Sequence, residues 1–449
     1  MSYISLSEDD IQDLLNKIGV SSISELFCCI PEEIRVKSDL SLPSALTEPE
    51  LISHFEKISE RNGANEYLSF LGGGAYQHLI PTVVDYLSMR GEFISPYTPY
   101  QPEVSQGTLQ VIFEFQTLIC QLTGMDIANA SLYDGATGAA EAVLMAHRIK
   151  NKPKVLISRS AHPHYRQVIS TYTQNLDLTI EMVDHLDSGR IDIENLKKRL
   201  DDQTTAVVIQ SPNFIGVLED IPSITRFAHE AGAMSVLLIT EPVSLGLMEA
   251  PGKFGVDIVT GEAQSFGISL SFGGPYVGFM ACRKEFLRQF PGRIAGQTKD
   301  RDGKRGFVLT LTTREQFIRR ERATSNICTN QAWCALRATI FLEALGKKGL
   351  REMAWQNVQK IRYALDQLTE IEGVTAKFSG EVFNECVLHF DKPWEVIDKA
   401  LREKKILGGI PLQTYFEDME NCVLINVTEV HTKEDIDLFV ENVREIMSR

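Results

Sequence analysis

No run of apolar residues in this 449-residue chain approaches the roughly 18 needed to span a bilayer. The opening stretch, MSYISLSEDDIQDLL, is acidic and has no basic segment ahead of an apolar one, so a secretory signal is not expected and a cytoplasmic location is. Positive charge is also in short supply. The 45 Lys and Arg face 60 Asp and Glu, a net charge of −15, which disfavours wholesale binding to a nucleic acid or an anionic membrane. The eight cysteines form no C-x-x-C pair and sit mostly in apolar segments. That pattern argues against a disulfide framework or a zinc site and for free thiols in a reducing compartment. There is no internal repeat and no low-complexity linker. What is present is a 43% hydrophobic composition, enough for a sizeable core, and a length that allows one large domain with appendages.

The first sixty-odd residues read as helical. Ser7 caps a helix with Asp10 at the capping-box position, Ile11, Leu14, Leu15 and Ile18 recur at helical spacing, and Gly19 ends it. Thr47 and Glu50 form a second cap-like pair before Leu51, Phe55 and Ile58. We expect residues 1–65 to be a helical arm that buries one face on something else. From about Gly107, short apolar runs at 155–157, 178–183, 206–209, 236–239 and 258–259 alternate with amphipathic helices, among them 191–200 and 223–231. That alternation predicts an α/β fold with a doubly wound, mostly parallel sheet over residues 66–335. An added strand is expected at 276–281, and a long helix at 330–345 with Gly346 near its end. The tail alternates again and predicts a smaller α/β domain over 336–449.

Several segments carry candidate chemistry. Gly72-Gly73-Gly74 is a weak signal by itself, since such runs serve most often as turns. In SPYTPYQPE, Pro96, Pro99 and Pro102 stiffen a stretch bearing Tyr97, Tyr100, Gln101 and Glu103. Composition favours a surface loop there; an interface loop lining a pocket is the sharper alternative. Asp134-Gly135-Ala136-Thr137-Gly138 leads into a helix whose free N–H groups suit a phosphate, although an ordinary cap by Asp134 accounts for it equally. No Gly-Lys-Ser/Thr follows, so it is not a P-loop. His162, Ser211-Pro212-Asn213 and Glu241 each follow a strand, and the carboxyl ends of parallel strands are where such sheets hold ligands. The turn after 258–259 offers Glu262, Gln264 and Ser265, or is a plain glycine-rich connection. Between Arg293 and Arg322 nine basic residues face four acids, leaving +5 against −20 for the rest. A solvated face is the usual meaning, and a dock for an acidic partner is the alternative.

Taken in order, LGGGAYQHLIP, SPYTPYQPEVSQGTLQ, YDGATGAAEA, SPNFIGVLED, QSFGISLSFGGPYVGF and AGQTKDRDGKRGFVLTLTTREQFIRRERATSNICTNQAW carry a family resemblance. The chain resembles the glycine cleavage system P-protein family, in its amino-terminal half, over nearly its whole length. The resemblance implies a fold-type-I pyridoxal-phosphate (PLP) architecture, a large domain and a small one flanking the cofactor crevice. It also implies an enzyme that decarboxylates glycine and passes the aminomethyl group to the lipoyl arm of the H-protein. A second subunit of the same fold is implied, in a heterotetramer, with neither a membrane nor a nucleic acid among the partners.

Carried over residue by residue, the resemblance makes Gly135, Ala136 and Thr137 the phosphate cradle and His162 the ring over the cofactor. Glu241 stands where an Asp holds the pyridine nitrogen. A His-Lys-Thr-Phe run in the cofactor-bearing partner reads Ala263-Gln264-Ser265-Phe266 here, so the Schiff-base lysine is replaced by Gln264. An amide has no basic lone pair, so no covalently bound PLP and no metal are expected in this chain. The pocket is then degenerate, and PLP belongs to the partner subunit. Tyr97, Tyr100, Gln101 and Glu103 are expected to complete the partner's site, with Gln101 and Glu103 orienting the tyrosines. Arg314, Arg319 and Arg322 are expected to dock the H-protein. Two competing readings are a non-catalytic scaffold or regulator, in which Tyr97 is dispensable, and a self-sufficient enzyme using another lysine, which would absorb in the near-visible.

Overall fold

The structure is a computed structural model and describes residues 6–36, 38, 40–94 and 97–449. Ser95 and Pro96, at the head of the proline-rich stretch, therefore lie outside the described residues. The chain divides into two units, Met1–Ala64 and Asn65–Arg449. In the first, Glu8–Ile18 is a helix with the expected Ser7/Asp10 capping box, and Gly19 ends it in the left-handed conformation at φ +86°. Glu48–Ser59 is a second helix with a Thr47/Glu50 capping box.

The second unit is built on a seven-stranded sheet. Across it the strands run Ile127–Ala128, Gly278–Cys282, Ile258–Glu262, Met234–Ile239, Thr204–Gln210, Lys154–Ser158 and Thr179–Val183. Gly278–Cys282 is antiparallel to both of its neighbours, and the other pairings are parallel. Both faces are covered, and the period of two in the strands divides the core accordingly. Leu156, Val207, Leu237 and Val259 pack toward helices Gln106–Thr123 and Ala332–Thr369, through Phe115, Ile119 and Phe341. Val155, Val208, Val236 and Ile258 pack on the other face against Ala139, Val143 and Ile169 of Gly135–Lys150 and Pro163–Thr173.

The Ala332–Thr369 helix breaks at Gly346, whose φ of +58° and ψ of −177° interrupt the helical backbone. Beyond it, a four-stranded antiparallel sheet orders Val374–Ala376, Glu385–Phe390, Cys422–Asn426 and Ile410–Pro411. Helices Trp394–Glu403 and Lys433–Ser448 cover it through Trp394, Ile397, Phe439 and Val443. Among the described residues, no helix is long and apolar enough to cross a membrane.

Candidate active site

The sheet brings His162, Gln210, Asn213, Glu241, Glu262 and Gln264 to the carboxyl edge of its parallel strands, and all are buried. Over them runs residues 70–79, the glycine-rich stretch. Phe70 and Tyr76 are buried, and hydrogen bonds from both sheets clamp the segment. Gly73 N–H donates to Glu385 Oε1 at 2.6 Å, and the Tyr76 hydroxyl donates to Glu385 Oε2 at 2.8 Å. Burial, with Glu241 nearby, pushes the Glu385 carboxyl up to about 8. Glycine is required where the segment crosses His162. Gly74 has φ +107°, and a β-carbon there would lie 2.9 Å from the imidazole ring.

His162 is fully engaged. Its Nε2 meets the Gly73 carbonyl oxygen at 2.8 Å, and its Nδ1 accepts the His164 N–H at 3.1 Å. That pair of partners fits the neutral ring protonated at Nε2. Burial lowers its pKa to about 4. Tyr165 stacks on the ring at 5.0 Å, and Phe214 packs at 4.7 Å.

Gln264 faces the same segment and is 2% exposed. Its Oε1 accepts the Tyr76 N–H at 2.9 Å, while Nε2 donates to the carbonyls of Tyr76 at 2.9 Å and Ile268 at 2.7 Å. The amide thus pairs with Tyr76 as a neighbouring strand would. Glu241 turns to His78 Nε2 at 2.9 Å and accepts from Asn384 Nδ2 at 3.0 Å, while Glu429 meets His78 Nδ1 at 2.8 Å. Burial alone would lower the His78 pKa, but the two glutamates hold it at about 10.

The N-terminus of the Gly135–Lys150 helix is closed by the protein's own carboxyl groups. Asp134 Oδ1 accepts the Thr137 N–H at 2.7 Å, and Glu262 Oε2 accepts the Gly135 N–H at 3.0 Å. Glu262 Oε1 also takes the N–H groups of Val277 at 2.9 Å and Ala263 at 3.1 Å. Burial nevertheless raises the Glu262 pKa to about 8. Ala136 packs into the apolar core behind.

These residues do not fit PLP. A phosphate would meet Asp134 and Glu262 where it needs free N–H groups, and a pyridine ring would meet Tyr165, Phe214 and the Gly73–Gly74 backbone. Among the described residues, no lysine replaces Gln264 in its contacts. Lys253 pairs with Glu249 on an exposed turn, and Lys299 and Lys304 lie on the exposed part of the hairpin Ile294–Lys299 with Arg305–Thr310.

The other expected site residues lie elsewhere. Tyr97 is 85% exposed and borders an apolar cavity of about 430 Å³ lined also by Met89, Trp333 and Leu336. Tyr100 is not oriented by Gln101 or Glu103. Its hydroxyl oxygen accepts from Arg293 at 3.2 Å, and its ring meets Phe317 edge-on at 5.5 Å. Gln101 instead precedes the short turn Pro102–Val104, where Glu103 sits exposed. Arg314 also departs from expectation. Its guanidinium points inward, to the carbonyls of Phe290, Gly292 and Leu311. Arg319 bonds the Thr313 carbonyl yet remains exposed, and Arg322 is 80% exposed.

Sequence reasoning missed His78, Glu385 and Glu429, and counted Arg293, which is buried, only as part of a basic face. A charged residue at the head of the mostly apolar Glu385–Phe390 strand was the available signal for Glu385.

A family model described as glycine cleavage system P-protein matches residues 1–443. The probable glycine dehydrogenase (decarboxylating) subunit 1 of Desulfitobacterium hafniense is 47% identical over 99% of this chain and 100% of its own length. The protein of the same description from Bacillus thuringiensis subsp. konkukian is 47% identical over 98% of each chain. A solved glycine decarboxylase (P-protein) of the glycine cleavage system, in inhibitor-bound form, superposes with a TM-score of 0.90 at 40% identity, covering 99% of this chain and 100% of that one. A NifS-like protein, at 16% identity and TM-score 0.65 over 85% of this chain and 99% of its own, shares the fold alone. The architecture is that of the fold-type-I PLP enzymes, and the chain belongs to the glycine cleavage system P-protein family.

Proposed function

We propose that this chain acts as the first subunit of a glycine dehydrogenase (decarboxylating), paired with a second subunit of the same fold. The enzyme removes the carboxyl group of glycine and passes the remaining aminomethyl group to the lipoyl arm of the H-protein, reducing the lipoyl disulfide. PLP, which serves as the electron sink for such decarboxylations, belongs to the partner subunit. This chain's part is to complete that site and to help seat the lipoylated protein.

The observation that carries the assignment is Gln264, 2% exposed and held by three hydrogen bonds, in the turn where the family's cofactor-bearing chain has its lysine. It is supported by Glu262, whose carboxylate takes the Gly135 N–H that a phosphate would need. The chain keeps the fold of a cofactor enzyme and lays its own residues 72–78 against His162 and Gln264. Its exposed contribution is the 97–103 loop. There, Tyr97 and Tyr100 carry hydroxyls able to donate to a carboxylate, and Gln101 and Glu103 border them. Arg319 and Arg322, in a +5 segment of a −15 chain, supply the charge to attract an acidic lipoylated partner. We assign the sheet of Glu385–Phe390 and the helices over it, from about residue 361 onward, to the smaller domain of this architecture; the boundary expected at 336 is set too early, because Phe341, Leu350 and Ala354 pack in the core of the large sheet.

The test is reconstitution. The isolated chain, incubated with PLP and freed of excess, is expected to be colourless and inactive, and a mixture with the partner subunit to decarboxylate glycine. A borohydride-reducible adduct on the isolated chain, or glycine decarboxylation by it alone, would overturn the assignment.

A further inference from the structure

Arg293 lies one residue before the hairpin strand Ile294–Lys299 and is 3% exposed. Burying a guanidinium is costly unless most of its donors find acceptors and its charge is paired. Here they divide between two segments far apart in sequence. On one side, Nη1 donates to Thr98 Oγ1 at 3.4 Å and Nη2 to the Tyr100 hydroxyl oxygen at 3.2 Å. The same guanidinium carbon sits 5.5 Å from the Tyr100 ring centroid. On the other side, Nη2 donates to the Cys328 carbonyl at 2.7 Å and Nη1 to Thr329 Oγ1 at 3.1 Å, while Nε is ion-paired with Glu315 Oε2 at 3.4 Å without a hydrogen bond. Arg314 braces the turn just before it through the carbonyls of Phe290 and Gly292, so the Arg293 backbone is held as well.

We infer that Arg293 is a positioning residue for the reaction: it fixes the 97–103 loop against the 315–329 segment and sets the direction of the Tyr100 hydroxyl. By donating to the Tyr100 oxygen, it leaves that hydroxyl's hydrogen to point away and be given to a reacting group. Only arginine serves here. Lysine has one compact charge and cannot reach acceptors on both segments at once. The inference rests on the assignment of the loop to the partner's active site.

The experiment uses the complex with the partner subunit and lipoylated H-protein, and compares Arg293→Lys, Tyr100→Phe and the double variant. Arg293→Lys is expected to assemble and keep the cofactor's colour. Amide exchange across residues 97–103 should be roughly tenfold faster, and kcat about a hundredfold lower. Because the arginine acts through Tyr100, the double variant should be no slower than the slower single variant. Unchanged loop exchange in Arg293→Lys, or kinetic losses that multiply in the double variant, would overturn the inference. If Arg293→Lys fails to assemble, Thr98→Val with Tyr100→Phe removes the two loop-side hydrogen bonds instead and should speed the same amides; unchanged exchange there counts against it equally. A wild-type complex that decarboxylates no glycine would defeat the functional assignment. The exchange measurement would still report whether Arg293 holds the loop.

Discussion

Putting lysine at Gln264 supplies the amine that a Schiff base needs, and it is expected to cost the fold without gaining a cofactor. The Gln264 amide accepts from Tyr76 N–H and donates to the Tyr76 and Ile268 carbonyls, all inside a site where the residue is 2% exposed. A lysine could still donate to the carbonyls, but it has no acceptor for the Tyr76 N–H. Leaving that donor unpaired costs about 1–3 kcal/mol. The ammonium must also be buried or lose its proton. A downward shift of about 3 pKa units, ordinary for a buried lysine, is worth about 4 kcal/mol. The sum, about 5–7 kcal/mol, is comparable to the entire stability of many domains. Urea unfolding followed by circular dichroism is the assay, with PLP added in a parallel sample. Gln264→Glu is the control. When protonated it keeps an acceptor and one donor, so at mildly acidic pH it should cost only about 1–2 kcal/mol. Its folded-state pKa must rise, so that loss should grow as the pH increases. If Gln264→Lys unfolds within about 1 kcal/mol of the wild type and forms a near-visible, borohydride-reducible adduct, the described filling of the crevice is wrong.

Five other variants have expected outcomes. His78, held at about 10 against an ordinary 6.5, contributes stability that is full below about 6.5 and lost as the pH rises through about 10. Glu262 and Glu385, at about 8, complete most of their own loss by then, so His78→Gln should flatten the fall in melting temperature between about pH 8 and 10. Gly135→Ala adds a methyl against the Tyr165 hydroxyl and the Gly261–Glu262 backbone, so the urea midpoint should drop by the equivalent of about 1–3 kcal/mol; an unchanged midpoint would contradict the packing described. Arg314→Ala should lower stability by freeing the Phe290 and Gly292 carbonyls. Arg322→Ala should leave stability alone and raise the apparent Michaelis constant for the lipoylated partner, and the reverse pattern would count against both placements. Tyr97→Phe should slow decarboxylation by the complex by roughly a hundred- to thousandfold with assembly and colour intact, and turnover at the wild-type rate would remove the loop from the chemistry.

Much of this protein is written locally. The caps at Ser7/Asp10 and Thr47/Glu50 and the stop at Gly19 sit where the sequence puts them, because a cap depends on residues within one helical turn. The strands at Lys154–Ser158, Thr204–Gln210 and Met234–Ile239 were legible for a similar reason: each is a short apolar run between helices, and such runs are buried on both faces of a parallel sheet. The absence of an amine at Gln264 is likewise a fact of sequence, and it bounds the chemistry whatever the fold. What the sequence left open was the fate of the crevice. Glu385 reaches Gly73 across 312 positions, Gln264 reaches Tyr76 across 188, and Glu262 reaches Gly135 across 127. Gly72–Gly74 reads as a loose turn until those partners are placed around it. Arg314 reads as a surface charge until the carbonyls of Phe290 and Gly292 are brought beneath it. Local propensity acts over a few residues, whereas a buried donor or acceptor must be satisfied by whatever the packed chain sets beside it, and only the tertiary structure decides which residue that is.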